Sequence, residues 1–290
     1  MTGHEARIGV HAAELLEQGY TIITDAMSPK AISAIHVDLW DDFDRTPFGT
    51  GLFYGETTKR FGRLPMRSEK THALILHPVI TGIVETILRP WCDRIQLNTT
   101  QAISVHPGAP EQLPHRDQDM WRIEANGREM LVNVMWPLTP FHAGNGGTRL
   151  WPHSHGIQAV EPEPAGPMIV PDLAPGSALL FLGSTLHAAG ANHTKTERRG
   201  IVIGYSLGWL KPYENPWLAY PPEVARTFPR ELAELAGYVQ HRPNLGNFEG
   251  QCPSILLNGY SGEPLGAIDA LRPDQNATAQ AFRETERRAP

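Results

Sequence analysis

The chain has 290 residues, of which 41% are hydrophobic and 19% charged, with a formal net charge of −6. These values exclude a disordered or fibrous chain and leave material for a large core. The mild acidity, with no long basic block, argues against nucleic acid and anionic membranes as partners. Cys92 and Cys252 are too few for a disulfide scaffold and fit a reducing, cytoplasmic setting.

The N-terminal residues are amphipathic and acidic, without an apolar signal core, and no later stretch reaches membrane-spanning length. His11 to Gln18 reads as a helix stopped by Gly19, and Tyr20 to Ile23 as a short strand. Ser28-Pro29 is a cap followed by a first-turn proline, so a helix starts there, with Ile32, Ile35 and Leu39 at helical spacing. Ile80, Ile83, Val84, Ile87 and Leu88 form a second apolar stripe, ended by Pro90.

Beyond residue 90 the period changes from helical to alternating. In Ile95 to Val105 the odd positions Ile95, Leu97, Ile103 and Val105 are apolar, as in a strand. Met130 to Trp136, Thr148 to Trp151, Ser177 to Leu182 and Ile201 to Leu210 predict further strands, separated by Gly-, Pro- and Asn-rich turns. Such spacing suggests an antiparallel sandwich or jelly roll. Pro222 to Gly237 predicts a helix, and Arg272 to Pro290 a polar, loose end. No linker divides the chain. The expected organisation is one domain over 1–290: a helical part (1–90), a β-core (about 91–211) and a C-terminal helix and loop extension (212–290).

The residues that carry chemistry are His115, Asp117 and His187. In extended chain, residues two apart project to one side, so His115 and Asp117 can share an ion while Arg116 points away. His187, just after the strand ending at Leu182, can supply a third ligand. Two imidazoles and one carboxylate form the facial triad that holds ferrous iron and leaves positions open for reactants. An isolated His-x-Asp is weak among thirteen histidines, and its alternative reading is a solvated surface loop; the distal histidine and a following arginine give it context. Strand parity selects that arginine. Arg198 shares a face with Val202, Gly204, Ser206 and Gly208, where small residues leave room for a cavity; Arg199 does not. A guanidinium there can pair bidentately with a carboxylate.

These residues together resemble the phytanoyl-CoA dioxygenase family of iron(II)- and 2-oxoglutarate-dependent oxygenases. The resemblance runs from about Leu15 to Gly237 through ELLEQGYTII, HPGAPEQLPHRDQDMW, NGGTRLWPHSHG and the long run from Pro175 to Leu210. The tail YSLGWLKPYENPWLAYPPEVA looks closest to a natural-product branch acting on terpenoids and alkaloids. The resemblance implies a mainly β protein with flanking helices, a double-stranded β-helix (jelly roll, cupin-like). It places iron on His115, Asp117 and His187, and 2-oxoglutarate on Arg198, Gln112 and Thr148. Tyr54 and Thr58 fall in a segment that lines the substrate side, and Trp121 is a further substrate-side candidate. It implies oxidation of an aliphatic C–H of a small organic substrate by O2, with release of succinate and CO2, and a homodimer. Two departures stand near the site: Pro114 replaces a hydrophobic residue, and Pro152-His153-Ser154-His155 replaces Pro-Gly-Ser-His. Open alternatives are a metal enzyme on the same fold that uses no 2-oxoglutarate, an acyl-CoA hydroxylase, and a silent binding protein.

Overall fold

Residues 3–123, 126–156 and 166–288 are described by the computed structural model. The helical start is longer than its apolar stripe: the first helix spans Gly3–Gln18, and its buried Ala12 and Leu15 carry the docking. In the Pro29–Asp38 helix, the Ser28 hydroxyl accepts from the Ala31 N–H and Pro29 fills the first turn. The Pro78–Leu88 helix buries Val79, Ile80, Ile83, Val84, Ile87 and Leu88. Among the described residues no single helix is long and apolar enough to cross a membrane; the apolar pair Glu69–Ile75 and Pro78–Trp91 is bent by 48°.

Eight strands follow the chain: β1 (Tyr20–Ile23), β2 (Thr58–Phe61), β3 (Ile95–Val105), β4 (Leu131–Pro137), β5 (Thr148–Leu150), β6 (Ala178–Leu182), β7 (His187–Ala189) and β8 (Arg198–Leu207). Six form an antiparallel sheet in the order β1-β6-β4-β8-β3-β2, and β5 pairs with β7 in a small second sheet. The large sheet separates two cores. Val132, Val134, Leu180, Leu182, Ile201, Ile203 and Tyr205 face the helices. Met135, Leu179 and Phe181 face the other way, against Leu150 of the small sheet and Phe141 and Leu173 of its flanking loops.

Four readings need correction. The alternation expected along β3 does not persist, because the β3–β8 register shifts between Leu97 and Thr99. This bulge at Asn98 flips the parity, so Leu97 and Ala102 share the helix-side core while Ile103 joins the opposite face. β8 begins at Arg198 rather than Ile201, since Arg198 and Arg199 pair with Val105 and Ser104. The helix expected over Pro222 to Gly237 is two short ones, Pro222–Ala225 and Arg230–Leu235; Pro229 lacks the N–H that a continuous helix needs there. The polar end is not loose: Pro273–Arg288 is a helix. Its Ala, Gln, Glu and Arg content and its Pro273-Asp274 start favour that conformation without a packed face.

Ile83→Ala is expected to lower unfolding free energy by about 2–5 kcal/mol, the range for emptying a fully buried aliphatic site. Removal of 273–288 is expected to change it by less than about 0.5 kcal/mol, because that helix is almost wholly exposed. Urea denaturation measures both; comparable losses in the two variants would contradict this division.

Candidate active site

The site is assembled from two chain segments joined by backbone. The His115 N–H donates to the His187 carbonyl at 3.0 Å, and the His187 N–H donates back to the His115 carbonyl at 3.0 Å. This antiparallel bridge sets the two histidines side by side, with ring centroids 4.4 Å apart. Arg116 keeps extended dihedrals, and a tight helical turn begins at Asp117. The Asp117 carboxylate therefore folds back beneath both rings, 3.3 Å from His115 Nε2 and 3.5 Å from His187 Nε2. One ligand atom from each residue lies within 4.8 Å of the others.

The orientation of each ring is fixed from behind. His115 Nδ1 lies 2.9 Å from the Leu113 carbonyl, and His187 Nδ1 3.0 Å from the Thr185 carbonyl. A carbonyl only accepts, so Nδ1 carries a proton; Nε2 faces Asp117, donating to the carboxylate when the ring is protonated and offering a lone pair to a metal ion when it is neutral. The turn at Gly183–Thr185 serves both segments, since the Gln118 N–H also donates to the Gly183 carbonyl. Burial alone would push the Asp117 carboxyl up, but His187 and hydrogen bonds from both imidazoles hold it far below the usual carboxylate range. Burial opposes charge on His187, yet the neighbouring Asp117 raises its pKa.

Asn133 was not singled out from the sequence. Its Nδ2 donates to Asp117 Oδ2 at 2.8 Å. The signal was present, since Asn133 is a polar residue within the apolar strand LVNVMWP and is almost fully buried.

A cleft open to solvent contains His115, Asp117 and His187 together with Gln112, Thr148, Arg198 and Tyr54. Arg198 lies on the Val202 face of β8, as parity predicts. Its Nε and one terminal nitrogen donate to the Gly146 carbonyl at 3.1 and 2.5 Å, and the guanidinium sits 4.2 Å from the Phe141 ring centroid. The other terminal nitrogen is buried with no hydrogen-bond partner among the described residues. Burial, and then Arg60 nearby, lower the Arg198 pKa to about 9. Arg199 turns to the opposite face, against the Trp40 and Phe43 rings and the Glu197 carboxylate. Gln112 accepts from the Ala189 N–H at 3.2 Å and spans the cleft wall to the Phe53 carbonyl.

Two expected substrate-side residues lie elsewhere. Thr58 does not line the cleft; its hydroxyl donates to the Tyr54 carbonyl. Trp121 also lies outside the lining, with its indole N–H donating to the Lys211 carbonyl at 2.8 Å. Tyr54 does line it, and its hydroxyl contacts that of Tyr213.

Residues 15–200 match the family model described as phytanoyl-CoA dioxygenase (PhyH). "Dioxygenase trt7" of Aspergillus terreus is 29% identical over 238 residues, covering 78% of this chain and 83% of that protein. "Dioxygenase FrzG" of a Cladobotryum species is 31% identical over 210 residues, covering 65% and 67%. Among solved structures, the α-ketoglutarate-dependent epimerase SnoN of nogalamycin biosynthesis superposes with a TM-score of 0.58 at 17% identity, covering 70% and 84%. HygX of Streptomyces hygroscopicus, solved with nickel and 2-oxoglutarate bound, gives 0.55 at 12% identity, covering 71% and 89%. The chain, with antiparallel sheets under a helical layer and two histidines and an aspartate gathered in its cleft, belongs to the phytanoyl-CoA dioxygenase family.

Proposed function

We propose that the chain is a single iron(II)- and 2-oxoglutarate-dependent oxygenase domain, built on a double-stranded β-helix, that oxidises an aliphatic C–H of a small organic substrate. The observation that carries this reading is the convergence of two imidazole Nε2 atoms and one carboxylate in a cleft that also holds a buried, unpartnered arginine N–H. Neutral imidazole and carboxylate suit ferrous iron, and three ligands leave room for reactants. SnoN and HygX, which share the fold, have been solved with Fe3+ or nickel and 2-oxoglutarate.

In this reading His115, Asp117 and His187 hold the metal, and Asn133 keeps the Asp117 carboxylate turned toward it. Arg198 offers its unpaired N–H to the distal carboxylate of 2-oxoglutarate, beside the Thr148 hydroxyl; Gln112 shapes the wall near the metal. A cation already desolvated by Phe141 and the strand face binds an anion more strongly than one in water. When bound, iron and 2-oxoglutarate supply oxygen activation with release of succinate and CO2. The protein positions the substrate beside the metal. SnoN and HygX, on the same fold, have been solved with nogalamycin RO and hygromycin B bound, which supports a natural product as the substrate class here.

His115→Ala and Asp117→Ala are expected to abolish iron binding and succinate formation. Folded variants that still turn over would sink the assignment. Asn133→Ala is expected to weaken iron about 10- to 100-fold, the usual cost of losing a partner of a metal ligand, read by metal titration. Arg198→Ala is expected to raise the KM for 2-oxoglutarate at least tenfold, whereas Arg199→Ala lowers stability and leaves that KM in place. A reversal of the two would show that the wrong strand face had been assigned to the cosubstrate.

A further inference from the structure

The cleft contains a second arginine that the chemistry above does not use. Arg60 sits on β2, opposite Ile103 of β3. One terminal nitrogen donates to Gln101 Oε1 at 3.2 Å, and the guanidinium carbon stands 5.3 Å from the Tyr54 ring centroid. Its Nε is buried with no hydrogen-bond partner among the described residues. Among the described residues no carboxylate stands within ion-pair distance of it, and burial lowers its pKa against the weaker opposing pull of Tyr213, Tyr54 and Asp117. A largely desolvated cation with no directly paired carboxylate is costly, and an anionic ligand would offset that cost.

Arg60 shares the inner cleft with Arg198 and lies near it, but unlike the cosubstrate residues it also reaches a second cavity. His115, Asp117, His187, Gln112, Thr148 and Arg198 line the inner cleft alone. Arg60, Tyr54, Thr99, Gln101 and Tyr213 line both that cleft and a second, outer cavity open to solvent. Arg60 therefore stands in the wall through which a ligand occupying the outer cavity would approach the metal. Glu214 also lines the outer cavity, but its carboxylate already accepts from the Arg63 N–H at 2.9 Å and from the Thr100 hydroxyl at 3.3 Å. The inner cleft also has apolar lining from Phe53 and Met120, both partly exposed.

We propose that Arg60 is the anchor for an anionic group of the substrate, so that this oxygenase acts on an amphipathic acid whose apolar body lies against the Phe53 and Met120 side of the cleft. The proposal rests on the oxygenase reading and adds the class of its substrate. Gln101 holds the guanidinium fork in place, and the Tyr54–Tyr213 contact closes the wall beside it. A carboxylate paired with Arg60 leaves the remainder of the molecule free to reach toward the metal.

The test uses the full chain loaded anaerobically with iron(II) and 2-oxoglutarate. The probes are dodecanoate and abietate, each against its methyl ester, and binding is read by calorimetry. At least one acid is expected to bind about 10- to 100-fold more tightly than its ester. That preference is expected to vanish in Arg60→Gln, shrink in Arg60→Lys, and leave 2-oxoglutarate affinity unchanged in both. If neither acid is preferred over its ester, or if Arg60→Gln instead weakens 2-oxoglutarate, the assignment of Arg60 is overturned. Absence of any iron-dependent 2-oxoglutarate binding by the unaltered protein defeats the oxygenase reading itself, a separate result.

Discussion

The pair of backbone hydrogen bonds between His115 and His187 is the constraint on which the site depends. It fixes a separation that sequence distance leaves open, since seventy-one intervening residues must return to one bridge. Once the bridge is made, both imidazoles emerge from adjacent backbone on one side, and the turn at Asp117 needs only to bring its carboxylate under them. The Nδ1 protons are then committed to carbonyls two residues upstream. Ligand identity, tautomer and spacing thus follow from ordinary antiparallel pairing, supported by the rigid large sheet behind it.

The large sheet divides labour between its faces. The helix side is apolar and closely packed, with Ile83, Val134 and Ile203 contributing to one core. The opposite face has a small apolar core at one part and the cleft at another, where Gly204 and Val202 leave space. A Cβ on Gly204 would meet Asn133 and Thr99 at 3.3 Å, close to the group that orients Asp117. The bulge at Asn98 matters for the same reason, because it turns Thr99, Gln101 and Ile103 toward the cleft. Without that extra residue the polar part of β3 would face the helical core.

The loop that departs from the family pattern has a structural consequence. His153 stands where glycine is usual and adopts φ 60°, a conformation that glycine takes without strain. Its backbone N–H donates to Gln18 at 2.9 Å, its ring contacts the Glu17 carbonyl at 2.9 Å, and His155 reaches the Leu16 carbonyl at 2.8 Å. The loop thereby satisfies the open carbonyls at the end of the Gly3–Gln18 helix. Ser154 connects this dock to the site, accepting from the Leu186 N–H at 2.9 Å and contacting Arg116 through its carbonyl. A helix remote from the cleft is tied to the residues flanking His115 and His187.

Much of the site was legible in the sequence because its rules are local. His115 and Asp117 are two apart in extended chain, and parity along β8 separates Arg198 from Arg199, since alternation is a property of any strand. The Ser28-Pro29 cap and the Pro78–Leu88 stripe follow from equally local chemistry. What the sequence could not determine depends on pairing between distant segments. The bulge at Asn98 exists only in register with β8, and it reversed half of the β3 alternation. Arg60 is an unremarkable residue of an exposed-looking segment until β2 pairs with β3 and brings it to the wall between two cavities. Thr58 and Trp121, chosen by their place along the chain, point to the carbonyls of Tyr54 and Lys211 instead. Residue type and spacing set which groups could meet at a metal; only long-range strand pairing, which has no local signature, decided which groups surround it.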